Sequence, residues 1–412
     1  MNPPAAAQEV DIAVVGGGLV GASLALALQT TSLRVALIEP VLPGAGVQPS
    51  FDDRCSALAN GSRRILETIG VWDGIADVAT PIRAIRISDA GRFGAALLSA
   101  EEQGLPALGY TVLNRQLGAA MWQRLQSQQN IRVLAPARVT AVEHQPDFVQ
   151  LQIVDAGGAR TLRTRLAVAA DGAQSMVRQA AGIPASVMDY RQCAMVANFS
   201  AERAADGTAY ERFTQHGPLA VLPLGDGSYT VVWTVAGDAA PALLAASDSE
   251  FAARLQQRFG WRIGAITHVG KRAAYPLALS RAERCIAPRI ALVGNAAQSL
   301  HPVAGQGFNL GLRDAAVLAE LVAAAGDAGD AALLSQYQGQ RSVDRERMIA
   351  FTDGLVQLFA SQRPGLPQLR SLGLLMFDAL PPARRALSAI SWGFNSRAPR
   401  LLRGLPLGTR QP

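Results

Sequence analysis

Short apolar, β-branched runs alternate along the chain with stretches whose apolar positions recur every three to four residues. The first run, Asp11-Ile-Ala-Val-Val15, breaks at Gly16-Gly17-Gly18-Leu19-Val20-Gly21 into a helical pattern over 22–29. A second run, Arg34-Val-Ala-Leu-Ile38, ends at Glu39. Side chains repeat with period two in strands and 3.6 in helices, so this opening predicts strand, turn, helix, strand. Residues 110–117 read as a strand end feeding a helix over 118–127, and 139–144, 148–154 and 161–168 as alternating strands. Val168-Ala-Ala-Asp171-Gly172 closes an apolar strand of the parallel-sheet type, with an acid and a glycine at its C-terminal end. Runs at 194–199, 219–224 and 229–235, separated by Gly-Asp-Gly-type turns, predict an antiparallel sheet. A buried strand returns at 290–293, followed by a glycine-rich loop and a helix over 309–324. From residue 331 the pattern is helical, broken at Pro364-Gly365 and Pro381-Pro382.

These elements describe an α/β nucleotide domain that is opened, interrupted and completed late. Its expected pieces are residues 1–75, 106–180 and 273–330. An inserted, mainly antiparallel substrate domain takes 76–105 and 181–272, and a helical C-terminal region with a basic tail takes 331–412. Length and composition agree: 412 residues with 49% apolar and 17% charged side chains suffice for two or three domains with cores. The three cysteines, Cys55, Cys193 and Cys285, are too widely spaced for a disulfide framework or a zinc site, and the four histidines are scattered, so no metal is expected. Two charge-free stretches, 12–33 and 290–312, are interrupted by glycines or by Asn295, His301 and Pro302, and the N-terminus carries Glu9 and Asp11 rather than a basic lead. A soluble, cytoplasmic protein is expected.

The charge lies in one place. Residues 379–412 hold six arginines (Arg384, Arg385, Arg397, Arg400, Arg403 and Arg410) and no acid, so they carry the whole formal charge of +6. A basic face on the folded body is thereby disfavoured, and nucleic acid is not an expected partner. In the tail, Leu387, Ile390, Trp392, Phe394, Leu401 and Leu402 interleave with the arginines. Two readings stand: an arm over 383–412 resting on an anionic membrane surface, or an arm packed on its own domain or a partner subunit.

The βαβ opening carries G-x-G-x-x-G at the strand-to-helix turn. Gly16 serves the tight turn, Gly18 the approach of a pyrophosphate, and Gly21 the packing of helix on sheet. Glu39, 18 residues beyond Gly21, is placed to accept hydrogen bonds from ribose hydroxyls. Two further motifs follow, Asp171-Gly172-Ala-Gln-Ser175-Met-Val-Arg178 and Gly294-Asn295 with His301-Pro302-Val-Ala-Gly305-Gln-Gly307-Phe-Asn309.

In this order the three motifs resemble the class A flavoprotein monooxygenases over about residues 8–360. The segments Asp52-Asp53-Arg54-Cys55-Ser56-Ala57-Leu58, Asn114-Arg115-Gln116-Leu117 and Tyr210-Glu211-Arg212-Phe213-Thr214 are similar to landmarks of the ubiquinone-biosynthesis hydroxylases. Asn295, where the commoner pattern has Asp, resembles the branch acting on 2-polyprenyl-6-methoxyphenol. The resemblance implies a para-hydroxybenzoate-hydroxylase-like fold and FAD as cofactor, with NAD(P)H and O₂ as co-substrates. It implies ring hydroxylation of a polyprenyl phenol through a C4a-hydroperoxyflavin, with other subunits of the biosynthetic complex or a second copy of the chain as candidate partners. Alternatives are a ubiquinone hydroxylase of another ring position, an isoprenoid flavin reductase, or an FAD-binding scaffold of low turnover.

The cofactor residues so implied are Gly16, Gly18, Gly21, Glu39, Arg54, Arg115, Asp171, Gly172, Gly294, Asn295, Pro302, Gly305, Gly307 and Asn309. Gly305 and Gly307 would let the loop pass close to a flat ring, with a helix starting at Asn309. Phe213, Leu222, Pro223 and Trp233 are candidate liners of the substrate pocket. His301 is the one weak candidate for acid–base work, since a lone His beside Pro in such a loop is more often structural. Asp171 is expected both to cap a helix over 173–180 and to touch the cofactor.

Overall fold

The structure, a computed structural model, describes residues 8–42, 52–361, 365–380 and 398–408. Gln8–Val15 is the central strand of the first sheet and pairs in parallel with Val35–Ile38 on one side and Gly158–Ala169 on the other. Ile131–Leu134 extends the parallel set past Val35–Ile38, and Ile290–Leu292 extends it past Gly158–Ala169. A hairpin of Ala137–His144 and Val149–Asp155 is added antiparallel to Gly158–Ala169. The strand centres are apolar because both faces are covered: Ile12, Val14, Leu37, Val168 and Leu292 are buried in one core with the helices Leu19–Ala27, Asn114–Gln126 and Gln306–Ala324.

The second sheet is ordered Gln298–Ser299, Ile266–Ala282, Ala185–Ala201, Tyr229–Ala236, Gly217–Pro223, Thr208–Thr214, Ala84–Asp89 and Ala95–Ser99. All its pairings are antiparallel except that between Thr208–Thr214 and Ala84–Asp89. Residues 84–99 thus join the inserted sheet. Ile266–Ala282 runs unbroken through residue 273, so the second sheet ends after Ala282 rather than at 272, and Gln298–Ser299 adds a last short strand to it. One face of this sheet packs on the helix Asp248–Phe259 through Trp233, Phe251 and Leu255, and the other faces the first domain across a cleft. A small third sheet, ordered Cys55–Ala59, Gly109–Leu113 and Thr80–Ile82, contributes Cys55–Ala59, Ile82 and Gly109 to the wall of the cleft.

Two helices begin earlier than their periodicity indicates. The helix expected from 118 starts at Asn114, directly after the extended Leu113, and the one expected from 309 starts at Gln306, after Gly305 turns left-handed at φ +60°. The helical region follows with Ala331–Ala360 and Leu366–Ala379.

The described part of the tail packs on its own domain. Leu401, Leu402 and Leu407 are buried in the first core. Thr68 Oγ1 donates to the Leu401 carbonyl, Thr30 Oγ1 to the Leu407 carbonyl, and the Arg400 N–H donates to Glu320. Leu401 and Leu402 are therefore not available to a bilayer. Leu387, Ile390, Trp392 and Phe394 lie outside the described residues.

Candidate active site

A cleft of about 1400 Å³ opens between the two sheets, and its walls draw on all three sequence motifs. That volume exceeds the roughly 300–1,000 Å³ of a pocket for one small ligand, so it has room for an extended cofactor and a second molecule.

At one end stands the Gly16–Leu19 turn. Gly16 has φ +105°, and a Cβ there would collide with the Ala170 carbonyl, so only glycine fits. A Cβ on Gly21 would collide with the Gly16 carbonyl, which explains how the helix sits so close to the turn. Glu39 fixes the turn: its Oε2 accepts the Gly17 N–H at 2.6 Å and its Oε1 the Val41 N–H at 3.0 Å. Trp122 closes the other side of the same peptide, its Nε1 donating to the Gly17 carbonyl at 3.1 Å. Its place on the buried face of its helix was legible; that its indole N–H would reach the turn was not.

Asp171, at the end of the Gly158–Ala169 strand, divides its carboxylate. Oδ2 accepts the N–H groups of Met176 and Val177 at 2.8 and 3.2 Å, at the start of Met176–Ala180, whose N-cap is Ser175. Oδ1 is buried without a hydrogen-bond partner among the described residues, and Asp171 lines the cleft. Gly172 beside it has φ +85° and nothing within 4 Å of a would-be Cβ. Arg178, from the same motif, is buried and donates from Nη1 to the Ala296 carbonyl at 3.0 Å, which ties the second motif to the third.

The third motif turns at Gly294 (φ +58°), where Val20 leaves little room for a side chain. Asn295 lines the cleft, whereas Gly294 and Gly21 stand behind it as packing positions. The turn is anchored from below: Asp314 Oδ2 accepts the Gly294 N–H at 3.0 Å and Gln298 Nε2 at 2.8 Å, while Oδ1 takes Arg341 Nε at 2.7 Å. Pro302, Gly305, Gly307 and Asn309 form the facing wall. A Cβ on Gly307 would enter open space. Asn309 spends its side chain inside the protein, accepting from the Ala59 N–H and Ser62 Oγ and donating to the carbonyls of Ala57 and Gly305. Its side chain thus clamps the loop onto residues 57–62, while the residue itself stays on the cleft wall. What this helix start presents to the cleft is unpaired N–H groups and the positive end of a 19-residue helix.

The two arginines diverge. Arg54 lines the cleft beside Tyr275, its guanidinium 4.6 Å from the ring centroid, and pairs with Asp52 at 2.6 Å; Tyr275 donates its hydroxyl to Asp52 at 2.9 Å. Arg115 is exposed, paired with Asp53 at 2.7 Å, and lies outside the wall of the cleft, so the expected cofactor contact is corrected for it. Arg115 is the second residue of a helix, Asn114–Gln126, whose buried stripe points to the core, which sends this side chain outward.

On the substrate sheet, Phe213 and Leu222 line the cleft and Trp233 and Pro223 do not. The reason is strand alternation. Trp233 pairs in register with Leu219 on the helix-covered face, against Phe251, whereas its neighbour Val232 faces the cleft. Pro223 ends its strand, its carbonyl accepting Thr111 Oγ1.

His301 is buried behind the loop. Its Nδ1 accepts the Val303 N–H at 3.2 Å, it packs edge-on against Tyr190 at 5.2 Å, and burial pushes the ring down to about 4. The ring is neutral at physiological pH, carries its proton on Nε2, and stands outside the cleft wall, which makes it a loop support rather than a proton carrier. Burial also pushes the thiols of Cys55 and Cys285 up, to about 12 and about 11, so neither is a thiolate.

The cleft suits a dinucleotide. A glycine turn at a helix start, an unpartnered carboxylate oxygen for a hydroxyl, and open glycine positions at Gly172 and Gly307 are what a ribose–pyrophosphate chain and a flat ring require. Known proteins agree. The FAD binding domain family model matches residues 9–352. Ubiquinone hydroxylase UbiL of Rhodospirillum rubrum is 40% identical over 98% of this chain and 97% of its own. The 3-demethoxyubiquinol 3-hydroxylase of Escherichia coli is 33% identical over 89% and 94%, respectively. Among solved structures, p-nitrophenol 4-monooxygenase PnpA of Pseudomonas putida DLL-E4 superposes with a TM-score of 0.76 over 98% of this chain and 100% of its own, at 21% identity. The chain belongs to the FAD-dependent monooxygenases, within the hydroxylases of ubiquinone biosynthesis.

Proposed function

We propose that this monooxygenase hydroxylates the ring of a polyprenylated methoxyphenol. One observation carries the reading: beyond the nucleotide end, the cleft is walled by apolar side chains from sheet and helices, among them Ile85, Leu98, Leu355, Leu374 and Phe377. Such a wall matches a long isoprenoid and excludes water from the ring that is attacked. A second reading, hydroxylation at another ring position of the same pathway, is favoured by the name of the Escherichia coli relative.

Bound in this cleft, FAD supplies the electron transfer from NAD(P)H and the oxygen-transfer chemistry. The chain does the rest. Glu39 and Trp122 hold the Gly17 peptide for the pyrophosphate end. Asp171 would offer Oδ1 to a hydroxyl of the cofactor. The start of Gln306–Ala324, at the cleft wall, would direct its N–H groups and positive dipole toward negative charge on the reduced cofactor. Arg54, stacked on Tyr275 in the cleft wall, would meet a polar group of the cofactor.

The purified protein is expected to be yellow and to couple NAD(P)H oxidation to hydroxylation of a short-chain prenylated methoxyphenol. In a strain lacking it, the accumulating prenylated phenol names the step. Accumulation of no prenylated phenol refutes the reading.

A further inference from the structure

One carboxyl group in the cleft has no structural employment. Glu211 lies on Thr208–Thr214 between Ala209 and Phe213, and alternation puts all three side chains on the cleft face, where they line the wall. Tyr210 and Arg212 point the other way, the first against Phe259 and the second to the Arg258 carbonyl. Across the ladder Glu211 stands opposite Ala220 on one side and Ile87 on the other, neither of which offers a hydrogen bond or a charge. Its Oε1 is buried and has no hydrogen-bond partner among the described residues. An unsatisfied acceptor on an apolar wall is costly, and a ligand hydroxyl that donates to it removes that cost. The strand also meets the cofactor loop: Phe213, two residues on and on the same face, packs against Val303 of that loop and stacks on Phe359 at 3.7 Å.

We propose that Glu211 is a catalytic residue that binds the hydroxyl of the phenol and acts as its general base. The inference rests on the phenol reading given above. In the step, the phenol O–H bond breaks as an O–H bond forms on a Glu211 carboxylate oxygen. The electron pair left on oxygen spreads into the ring and raises the electron density at the ortho and para carbons, where oxygen is delivered. The acquired proton returns to solvent when product leaves. A charged acceptor makes this hydrogen bond about twice as strong as a neutral one and orients the ring.

Burial raises the Glu211 carboxyl to about 7, with no charged partner contributing. Of the other ionisable groups on the cleft, Arg54 is paired with Asp52, Tyr275 with Asp52, Arg370 with Asp89 and Glu39 with two backbone N–H groups, while Asp171, Arg138 and the thiol of Cys55 also line its wall. A raised carboxyl is protonated, and useless as a base, below its own titration. Activity is therefore gained as pH rises through about 7.

The test uses the full-length, FAD-loaded protein with 2-methoxyphenol carrying a two-isoprene chain, and the methyl ether of that phenol. For the wild type, kcat/KM should climb with pH to a plateau above about 7, and the phenol should bind at least about tenfold tighter than the ether. E211Q should bind FAD equally, lose about 10–100-fold in kcat/KM, and show no rise in that pH range. E211L should lose the preference for phenol over ether in equilibrium binding, a readout independent of turnover. If E211Q does not fold, E211D, which keeps the carboxyl but withdraws it by one methylene, should lower kcat and keep the pH rise. A wild type that hydroxylates the probe alongside an E211Q that matches it within twofold, with the same pH profile, overturns the role of Glu211 and leaves the phenol reading standing. A flavin-loaded wild type that neither binds nor hydroxylates the phenol overturns both.

Discussion

At the scale of single residues, the site depends on side chains that do two things at once. Asp171 spends one oxygen on the first N–H groups of Met176–Ala180 and leaves the other on the cleft. Replacing Asp171 by Ala should therefore weaken flavin binding at least about tenfold and remove about 1 kcal/mol of stability, the usual worth of a cap. Flavin fluorescence titration and thermal unfolding separate the two effects, and D171N should retain more of the binding than D171A. Much at this scale was legible: Gly16, Gly21 and Asp171 stand where a βαβ turn and a strand end require them. Arg115, Trp233 and Pro223 were not, because a motif fixes the position of a residue along the chain and not the direction of its side chain. Alternation on Thr208–Thr214 would have placed Glu211 among apolar neighbours, a signal visible in Ala209, Glu211 and Phe213 and left unused.

At the scale of elements, the helices Gln306–Ala324 and Ala331–Ala360 are locked by a buried chain of charges. Arg313 and Arg341 both reach Asp344, and Arg341 also holds Asp314, with Arg341 and Asp314 almost wholly buried. The two arginines hold the Asp344 carboxyl below its usual range against the opposing effect of burial. Because Asp314 carries the Gly294 turn, this lock sets the loop that faces the cofactor. Arg341→Met leaves a buried carboxylate unpaired and should cost about 3–5 kcal/mol, read by denaturant unfolding, with flavin released at lower denaturant than in the wild type. None of this showed in the hydrophobic pattern, since buried ion pairs write polar letters into positions that periodicity assigns to solvent. The helix starts at Asn114 and Gln306 were missed by three or four residues for a related reason. Their first turns, Asn-Arg-Gln-Leu and Gln-Gly-Phe-Asn, hold one apolar residue each, too few to show a stripe.

At the scale of the whole molecule, the cleft exists because the inserted sheet is held against a domain assembled from three separated segments. The βαβ opening and the antiparallel insertion were readable from apolar runs and turns, but the order of the strands in the first sheet was not, because a run marks a strand and not its neighbour. The exact division near Ala282 was not, because Ile266–Ala282 is one long strand whose ends serve different surroundings. The tail required tertiary information: Leu401, Leu402 and Leu407 sit in a basic, apolar stretch that resembles a membrane arm, yet they complete the first core. Leu402→Ala should cost about 2–5 kcal/mol, measured by thermal or denaturant unfolding, and a substitution with no effect would return this stretch to the surface.

That packing has a consequence for biogenesis. The domain begun by Gln8–Val15 is sealed by side chains made almost 400 residues later, so its interior stays open while most of the chain is still being synthesised. A ribosome that stalls or terminates ahead of Leu401 releases a polypeptide with exposed apolar surface, a target for chaperones and proteases, even though every glycine motif and the entire inserted sheet have already been made.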